Sequence, residues 1–226
     1  MTTVEKAIPA GFQYRPIDKF VVEEVFVGRV YKRLTPRETD TVLDLGAHVG
    51  AFTTWIAPYV ERVVAVEMIP ETARYLHLNV DGIAHVEVLE GAVTGELGTA
   101  VTAYTRGHGN PMSAFSGLSE RQPRAGDHAF TVQARPLPWL LNQYKPDIIK
   151  FDIETAEYSV ITPNAFQLAN WEVRELIGEL HASTDHTVRL AQELHHSLQA
   201  VGYRPSGPAP QKPSGWGKVV HYHLDL

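Results

Sequence analysis

The chain has 226 residues, of which 44% are hydrophobic and 20% are charged, and its formal net charge is -6 at pH 7. This size and composition are typical of one globular domain with a substantial core. The negative charge gives no long-range attraction for phosphate backbones and counts against a nucleic-acid substrate. The absence of cysteine excludes disulfides, thiolate metal sites and a cysteine nucleophile.

The first residues, MTTVEKAIPAGF, lack a basic stretch followed by an apolar run and predict no signal peptide. No apolar run in the sequence is long enough to span a bilayer. We therefore expect a cytoplasmic protein without a membrane partner. We divide the chain into an N-terminal segment, 1–40, and a cofactor-binding domain, 41–226, and the stretch 20–30 fits either a strand or a short helix.

Strand patterns alternate with helical patterns from residue 41 onward. The predicted strands are Thr41–Leu45, Arg62–Glu67, 85–89, 147–153, 174–180, the region of Tyr203 and 219–224. The predicted helices are 51–59, Pro70–Val80, 137–143, short pieces within 158–168 and 188–200. Between 101 and 132 the alternation stops, and short strand-like pieces surround a Gly- and Ser-rich loop, 107–119, that we expect to be a surface loop or a lid.

This order of elements predicts an α/β fold with a doubly wound, mostly parallel seven-stranded sheet. The last two strands are expected to close the sheet as an antiparallel hairpin. Such a hairpin resembles the end of class I methyltransferases that use S-adenosylmethionine (SAM), and it is not expected of a plain dinucleotide-binding domain.

The segment TVLDLGAHVGAF, residues 41–52, carries the strongest functional signal. An apolar strand ends near Asp44 and is followed by a turn with Gly46 and Gly50 before a helix begins. This arrangement presents backbone to a nucleoside cofactor at the carboxyl end of a parallel strand. Glu67 ends the next strand, at a spacing suited to binding ribose hydroxyls.

The spacing of the glycines indicates which cofactor binds. A dinucleotide fingerprint requires glycine at its first, third and sixth positions, which here hold Gly46, His48 and Ala51. A histidine at the middle position would crowd a pyrophosphate. SAM has no pyrophosphate and needs only open turns at Gly46 and Gly50. We therefore expect a SAM site; a tight turn without a ligand and an NAD(H) dehydrogenase are the weaker interpretations.

Several residues are predicted to contact SAM. Glu67 accepts both ribose hydroxyls in charge-assisted hydrogen bonds, and Met68 covers one adenine face. Asp44 organises the glycine turn and faces the amino-acid end of SAM, and Thr53 offers a hydroxyl or N–H to its carboxylate. The full predicted set is Asp44, Gly46, His48, Gly50, Thr53, Glu67, Met68, Glu90, Gly91, Ala92 and Asp152, with Glu90, Gly91 and Ala92 at the adenine edge.

An acidic cluster follows the fourth predicted strand, in the sequence DIIKFDIETAEY. Asp152 and Glu154 share one face if this segment is extended, because side chains alternate along a strand. Methyl transfer depends mainly on positioning, and a hydroxyl acceptor must also lose a proton. Asp152, Glu154 or His181 is therefore the expected base. An ion pair between Lys150 and Asp152 and a capping role for His181 are the alternatives.

Metal binding is weighed at two places and expected at neither. Asp152, Glu154 and Glu157 provide oxygen ligands of the kind that Mg²⁺ prefers. His221 and His223 alternate on the last strand and share a face, but solvated or packing roles are favoured for them. The tryptophans, Trp139, Trp171 and Trp216, are expected to anchor packing or loops.

Four segments resemble, in this order and spacing, the FkbM family of methyltransferases: VLDLGAHVGAFT, VVAVEMIPETARYLHLNV, VEVLEGAVTGELG and IIKFDIETAEYSVI. The resemblance covers roughly residues 20–182 and includes the Gly/Asn–Ser pattern at Gly109, Asn110 and Ser113. It implies SAM as the donor, O-methylation that is commonly of a sugar or secondary-metabolite hydroxyl, and no obligatory metal. The chain departs from the family at Ile69, which extends a Glu-Pro turn, and at Thr155, where the family has glycine.

The sequence thus predicts a SAM-dependent O-methyltransferase that acts on a hydroxyl of a small molecule or glycan by in-line displacement. A nucleic-acid methyltransferase is one alternative, but it needs a basic acceptor face. A non-catalytic module that binds SAM or a nucleotide is the other. Such a module would keep Gly46, Gly50 and Glu67 and would need no acidic crevice.

Overall fold

The computed structural model describes residues 7–106, 110–116, 125–215 and 217–225. In the predicted loop 107–119, residues 107–109 and 117–119 lie outside the described residues, whereas 110–116 form a strand and not a loop. The predicted anchor Trp216 also lies outside the described residues. Within the described part of the chain, every helix is too short or too polar to cross a membrane.

Eleven strands and seven α-helices are present in the described residues. The strands are β1 Thr41–Leu45, β2 Arg62–Glu67, β3 Val86–Glu90, β4 Ala92–Thr94, β5 Ala100–Arg106, β6 Asn110–Ser116, β7 His128–Pro136, β8 Ile148–Phe151, β9 Glu175–Leu180, β10 Tyr203–Pro205 and β11 Lys218–Leu224. The helices are α1 Lys19–Glu23, α2 Ala51–Ile56, α3 Pro70–Val80, α4 Leu137–Tyr144, α5 Glu157–Val160, α6 Ala165–Asn170 and α7 Asp185–Ala200.

The main sheet has seven strands in the order β10-β11-β9-β8-β1-β2-β3. β1, β2, β3, β8 and β9 run parallel to their neighbours in this group, and β11 runs antiparallel to both β9 and β10. The predicted fold class, a mostly parallel seven-stranded sheet with an antiparallel C-terminal hairpin, is confirmed.

The central strands are apolar because both faces of the sheet are covered. Alternation along β1 sends Val42 to one face and Leu43 to the other. Val42 packs with α2 and the N-terminal segment, whereas Leu43 packs with helices α4 to α7. The core therefore consists of two apolar layers, one on each side of the sheet.

The N-terminal segment forms part of this core. The stretch 20–30, which the sequence left open between strand and helix, is helical: α1 continues into a π-helical turn, Glu24–Gly28. Val25 and Tyr31 are buried beside α2, and the ring of Tyr31 lies 4.8 Å from that of Phe52, centroid to centroid. The division at residue 40 stays a prediction about organisation, since the two parts share this apolar layer.

A second sheet occupies the region where the predicted alternation stops. It has four strands in the order β4-β7-β5-β6. The expectation of isolated strand-like pieces around a loop was therefore incomplete. β7 is largely exposed or half-buried until its last residues, so its sequence lacks the apolar run that marks a buried strand.

The segment after β8 is a turn and not an extended strand. β8 ends at Phe151, and Glu154 and Thr155 have φ angles of 55° and 71°. The prediction that Asp152 and Glu154 share a face by strand alternation is therefore wrong. Thr155 retains the left-handed conformation that glycine adopts freely, and a β-branched residue adopts it only at a cost in strain.

Gly46 makes the closest backbone approach near the end of the sheet. Its φ is 80°, and a Cβ built on it would overlap the carbonyl oxygen of Asp152. Gly50, with φ of 85°, has a different neighbour, since its Cβ would lie 2.6 Å from Leu76 Cδ1 on α3. Gly46 therefore lets the turn after β1 contact the end of β8, while Gly50 lets α3 pack closely.

Replacing Gly46 with alanine should destabilise the protein far more than the same change at Gly82. Both glycines have positive φ, 80° and 78°, but no atom lies within 4 Å of a Cβ on Gly82. Gly82→Ala should lower the free energy of unfolding by about 1 kcal/mol, and Gly46→Ala by about 3 kcal/mol or more. Urea denaturation measures both, and equal losses would contradict the contact with Asp152.

Candidate active site

A cavity of about 920 Å³, counted with the space at its open mouth, lies at the carboxyl ends of β1, β2, β3 and β8. Open α/β sheets bind ligands at this edge. The predicted residues that line it are Gly46, His48, Glu67, Met68, Gly91, Ala92, Asp152 and Glu154. Val21, Val25 and Tyr31 of the N-terminal segment complete the wall.

Glu67 presents a fixed carboxylate to this cavity. The residue is 6% exposed, and its two oxygens accept the backbone N–H groups of His48 and Ile69, each at 2.9 Å. Burial raises the pKa of Glu67, and the two N–H groups and the neighbouring His48 ring oppose that rise. Each oxygen keeps a further acceptor position, which suits the carboxylate to a pair of ribose hydroxyls.

His48 uses its backbone and its ring differently. Its φ is 54°, and its N–H group is the one that Glu67 accepts. The ring is directed to the N-terminal segment, with Nε2 3.3 Å from Oδ1 of the buried Asp18. Burial would raise the pKa of Asp18, but hydrogen bonding to His48 and Arg15 outweighs it and holds that pKa well below its usual range. No sequence pattern indicated this pairing.

Asp44 and Thr53 do not line the cavity, which corrects the predicted contacts of their side chains with SAM. Both are fully buried, and Thr53 donates its hydroxyl to Asp44 Oδ2 at 2.5 Å. Lys150 Nζ lies 3.1 Å from Asp44 Oδ1 and donates to the Gly46 carbonyl at 2.6 Å. Lys150 thus pairs with Asp44 and not with Asp152, and the three side chains support the glycine turn from beneath.

Glu90 and Gly50 were also predicted to contact SAM, and both lie outside the cavity. Glu90 has an exposed side chain whose Oε1 lies 3.2 Å from His77 Nε2, outside the cavity. β3 is the edge strand of the main sheet, and this carboxylate therefore faces solvent and α3. Gly50 also lies outside the cavity wall. Gly91 remains in the wall, and a Cβ there would lie 2.5 Å from the Gln133 carbonyl on β7.

The acidic cluster surrounds His181, at the end of β9. His181 Nδ1 lies 2.9 Å from Oε1 of the buried Glu157. Its Nε2 lies 3.8 Å from Asp152, 3.9 Å from Glu154 and 3.8 Å from Glu179. The structure therefore brings together all three predicted base candidates, although a turn and not an extended strand positions Glu154.

The protonation of His181 follows from this setting. Burial alone would lower the pKa of His181, but the charges of Glu157, Asp152 and Glu154 outweigh it and raise the pKa to about 10. This setting favours the protonated imidazolium at neutral pH, so His181 suits the role of base less well than Asp152 or Glu154. Burial and the charge of Asp152 also raise the pKa of Glu179 to about 7.

Three side chains of this acidic cluster also have the spacing of a metal-binding group. Donor atoms of Asp152, Glu157 and His181 lie within 4.8 Å of one another. The expectation of no obligatory metal stays a prediction.

Comparison with known proteins assigns the family. The family model of the methyltransferase FkbM domain matches residues 44–205, which include the glycine turn, Glu67, the acidic cluster and the strands that carry them. The chain belongs to the FkbM methyltransferase family. The match confirms the resemblance stated from the sequence, the methyltransferase class and SAM as the cofactor.

One solved structure and two curated proteins resemble this chain or part of it. A crystal structure of methyltransferase FkbM from Methylobacillus flagellatus superposes with a TM-score of 0.54 at 16% identity, covering 85% of this chain and 45% of that one. The AMB antimetabolite synthetase AmbE of Pseudomonas aeruginosa is 30% identical over 251 residues, which is 90% of this chain and 12% of AmbE. A probable ribosomal RNA small subunit methyltransferase A of Methanosarcina barkeri is 32% identical over 72 residues.

The chain spans only part of these curated relatives. It covers 25% of the ribosomal RNA methyltransferase and 12% of AmbE, and the shorter match includes 32% of this chain. What those proteins act on is therefore not carried over to this one.

The sequence missed two contributions to the site. Val21, Val25 and Tyr31 come from the N-terminal segment, in which no individual lining residue was predicted, although its apolar and aromatic residues signalled burial. Glu179 stands two residues before His181, so alternation along β9 directs both to the same face. That spacing was visible in the sequence and could have added Glu179 to the acidic cluster.

His181 should remain protonated well above neutral pH. Because its folded pKa is raised, its contribution to stability is complete below its unfolded pKa of about 6.5 and is lost as pH rises through about 10. The difference in free energy of unfolding between the wild type and His181→Gln should therefore shrink between pH 7 and 10. Imidazole ¹⁵N shifts provide a direct check. His195, whose pKa burial lowers, should titrate on the acid side as an internal control.

Glu67→Gln should weaken the binding of S-adenosylhomocysteine about 10- to 100-fold, because a neutral amide replaces a charged acceptor of hydroxyl groups. Glu90→Gln is the matched control, since Glu90 is the register partner of Glu67 on β3 and lies outside the cavity. The affinity of Glu90→Gln for S-adenosylhomocysteine should change by less than about twofold. Calorimetry measures both, and the reverse order of effects would contradict the assigned cavity.

Proposed function

We propose that this chain transfers the methyl group of SAM to a hydroxyl of a small molecule or glycan. The observation that carries the proposal is the pair of partly exposed carboxylates on the cavity wall. The side chains of Asp152 and Glu154 are 28% and 32% exposed, and both line the cavity next to the turn at Gly46. Such an acidic wall suits a cationic methyl donor. It also suits an acceptor hydroxyl that must lose a proton.

The proposed roles divide between the two ends of the cavity. Glu67 binds the ribose hydroxyls, and the backbone of Gly46 and His48 lies against the cofactor. When bound, SAM would supply a methyl group on a cationic sulfur. The acceptor oxygen would bond to the methyl carbon in line with the breaking carbon–sulfur bond, and the sulfur would leave as a neutral thioether. Alignment of the reacting atoms accounts for most of the rate gain.

Asp152 or Glu154 then accepts the proton of the acceptor hydroxyl. A carboxylate within hydrogen-bond reach is suited to this task. His181 is less suited to this step, because the neighbouring carboxylates favour its protonated form. Its contacts with Glu157, Asp152 and Glu154 instead orient these carboxylates, which is a positioning role.

A nucleic-acid substrate is the less favoured alternative. Five acidic residues, Glu24, Asp152, Glu154, Glu157 and Glu179, interact electrostatically in this part of the molecule, and a phosphate backbone would be repelled there. We therefore propose that nucleic acid is not the acceptor. The cytoplasmic location expected from the sequence belongs to the same proposal and stays a prediction.

Asp152→Asn and Glu154→Gln separate catalysis from cofactor binding. Replacement of the base should lower turnover about 100-fold or more, while affinity for S-adenosylhomocysteine stays within about threefold. The assay follows labelled methyl from SAM into pools of hydroxylated small molecules, glycans and RNA. Asp81→Asn, at the exposed end of α3, is the control.

The other outcomes point to the alternatives. Label in RNA alone would identify a nucleic-acid methyltransferase. Cofactor binding without transfer to any pool would favour a non-catalytic module. Full turnover in both variants would remove the wall carboxylates from the mechanism.

A further inference from the structure

A second cluster of ionisable groups lies far from the cavity, where β9 begins beside β11. Glu175 opens β9, and its register partner on β11 is His223, while His221 pairs with Ile177. The cavity side of the sheet begins beyond Leu180, at the other end of β9. Five residue steps along a strand separate the two ends by about 17 Å. This cluster is therefore independent of the methyl-transfer site and of the proposed function.

Three side chains converge in this cluster. Glu175 Oε2 lies 2.9 Å from His221 Nε2 and 3.9 Å from His223 Nδ1. One donor atom from each residue lies within 4.8 Å of the other two. The sequence alone offered only the two histidines, and the buried carboxylate of Glu175 is what the fold adds to them.

The carboxylate of Glu175 is held in a fixed orientation. Thr35 donates its hydroxyl to Oε1 at 2.5 Å, and the Arg174 guanidinium also bonds Oε1. Oε2 is thus the oxygen directed at the imidazoles. Arg174 pairs in turn with Asp40 at 2.5 Å, so its positive charge is offset on the side away from the cluster. Outer partners of this kind orient ligating carboxylates in metal sites.

We propose that Glu175, His221 and His223 bind one divalent transition-metal ion of the zinc class. Two imidazoles and one carboxylate are a donor set that suits Zn²⁺ and its neighbours. Ligand atoms of a tetrahedral zinc site are about 3.3 Å apart, and the distances of 2.9 and 3.9 Å in this cluster bracket that value. The side chain of His223 is 44% exposed, which provides a path for the ion and an open position for water.

Such an ion would join three parts of the chain. Glu175 contacts Thr35, which precedes β1, and the two histidines lie on β11. β11 is hydrogen-bonded between β9 and the short β10. The bound ion would therefore stabilise the C-terminal hairpin against β9 and the N-terminal segment.

Zinc titration of the full chain tests the proposal. The protein carries no histidine tag and is first treated with a chelator, and Zn²⁺ is then added in calorimetry with a competing chelator. One ion per chain should bind and raise the melting temperature. His223→Asn should weaken binding about 100-fold or more, because three ligands become two. Co²⁺ should give the visible absorption of a tetrahedral site in the wild type and lose it in this variant.

Two controls locate the ion. His77→Asn removes an exposed histidine that also lies beside a carboxylate, Glu90 at 3.2 Å, and should leave zinc binding unchanged. Asp152→Asn removes a donor of the acidic cluster near the cavity and should also leave it unchanged. His223 is exposed, so its replacement should fold normally, which the melting temperature in chelator verifies.

Three results would overturn the proposal. They are the absence of saturable zinc binding by the wild type, unchanged affinity in His223→Asn, and loss of binding in Asp152→Asn. The first two results leave the methyl-transfer proposal untouched, since its readout is turnover, and the third would move the ion to the acidic cluster near the cavity.

Discussion

The contact between Gly46 and the end of β8 is the constraint on which the site depends. A side chain at Gly46 would overlap the carbonyl of Asp152, and Lys150 bonds the Gly46 carbonyl from the neighbouring strand. The turn proposed to receive the cofactor and the residues proposed to face the acceptor are therefore joined by direct backbone packing. Positioning across this contact is rigid because Asp44 and Lys150, both buried, pair beneath it.

Two cations near the site, Lys150 and His181, are already paired with carboxylates. Lys150 is paired with Asp44, and His181 is enclosed by Glu157, Asp152 and Glu154. In both cases the nearby carboxylates outweigh burial and keep the cation protonated. Asp152 and Glu154 therefore remain as acidic groups on the cavity wall.

The fold was predictable because buried parallel strands appear as apolar runs and the glycine turn marks their carboxyl end. However, the position of a residue at the end of a strand does not show which residues its side chain contacts. Asp44 was placed correctly at the mouth of β1, but its burial against Lys150 depends on a residue about a hundred positions away. The protonation of His181 likewise depends on neighbours from separate segments. The second sheet escaped prediction because β7 is exposed or half-buried along most of its length and shows no buried apolar run.

The N-terminal segment has a consequence for any attempt to isolate or transplant the catalytic unit. The family match begins at residue 44 and ends at 205, whereas Val21, Val25 and Tyr31 form part of the cavity wall. β11, at Lys218–Leu224, lies beyond the other limit and covers the edge of β9. A fragment trimmed to the matched range would lose one side of its binding pocket. It would also expose an unpaired strand edge, which invites self-association.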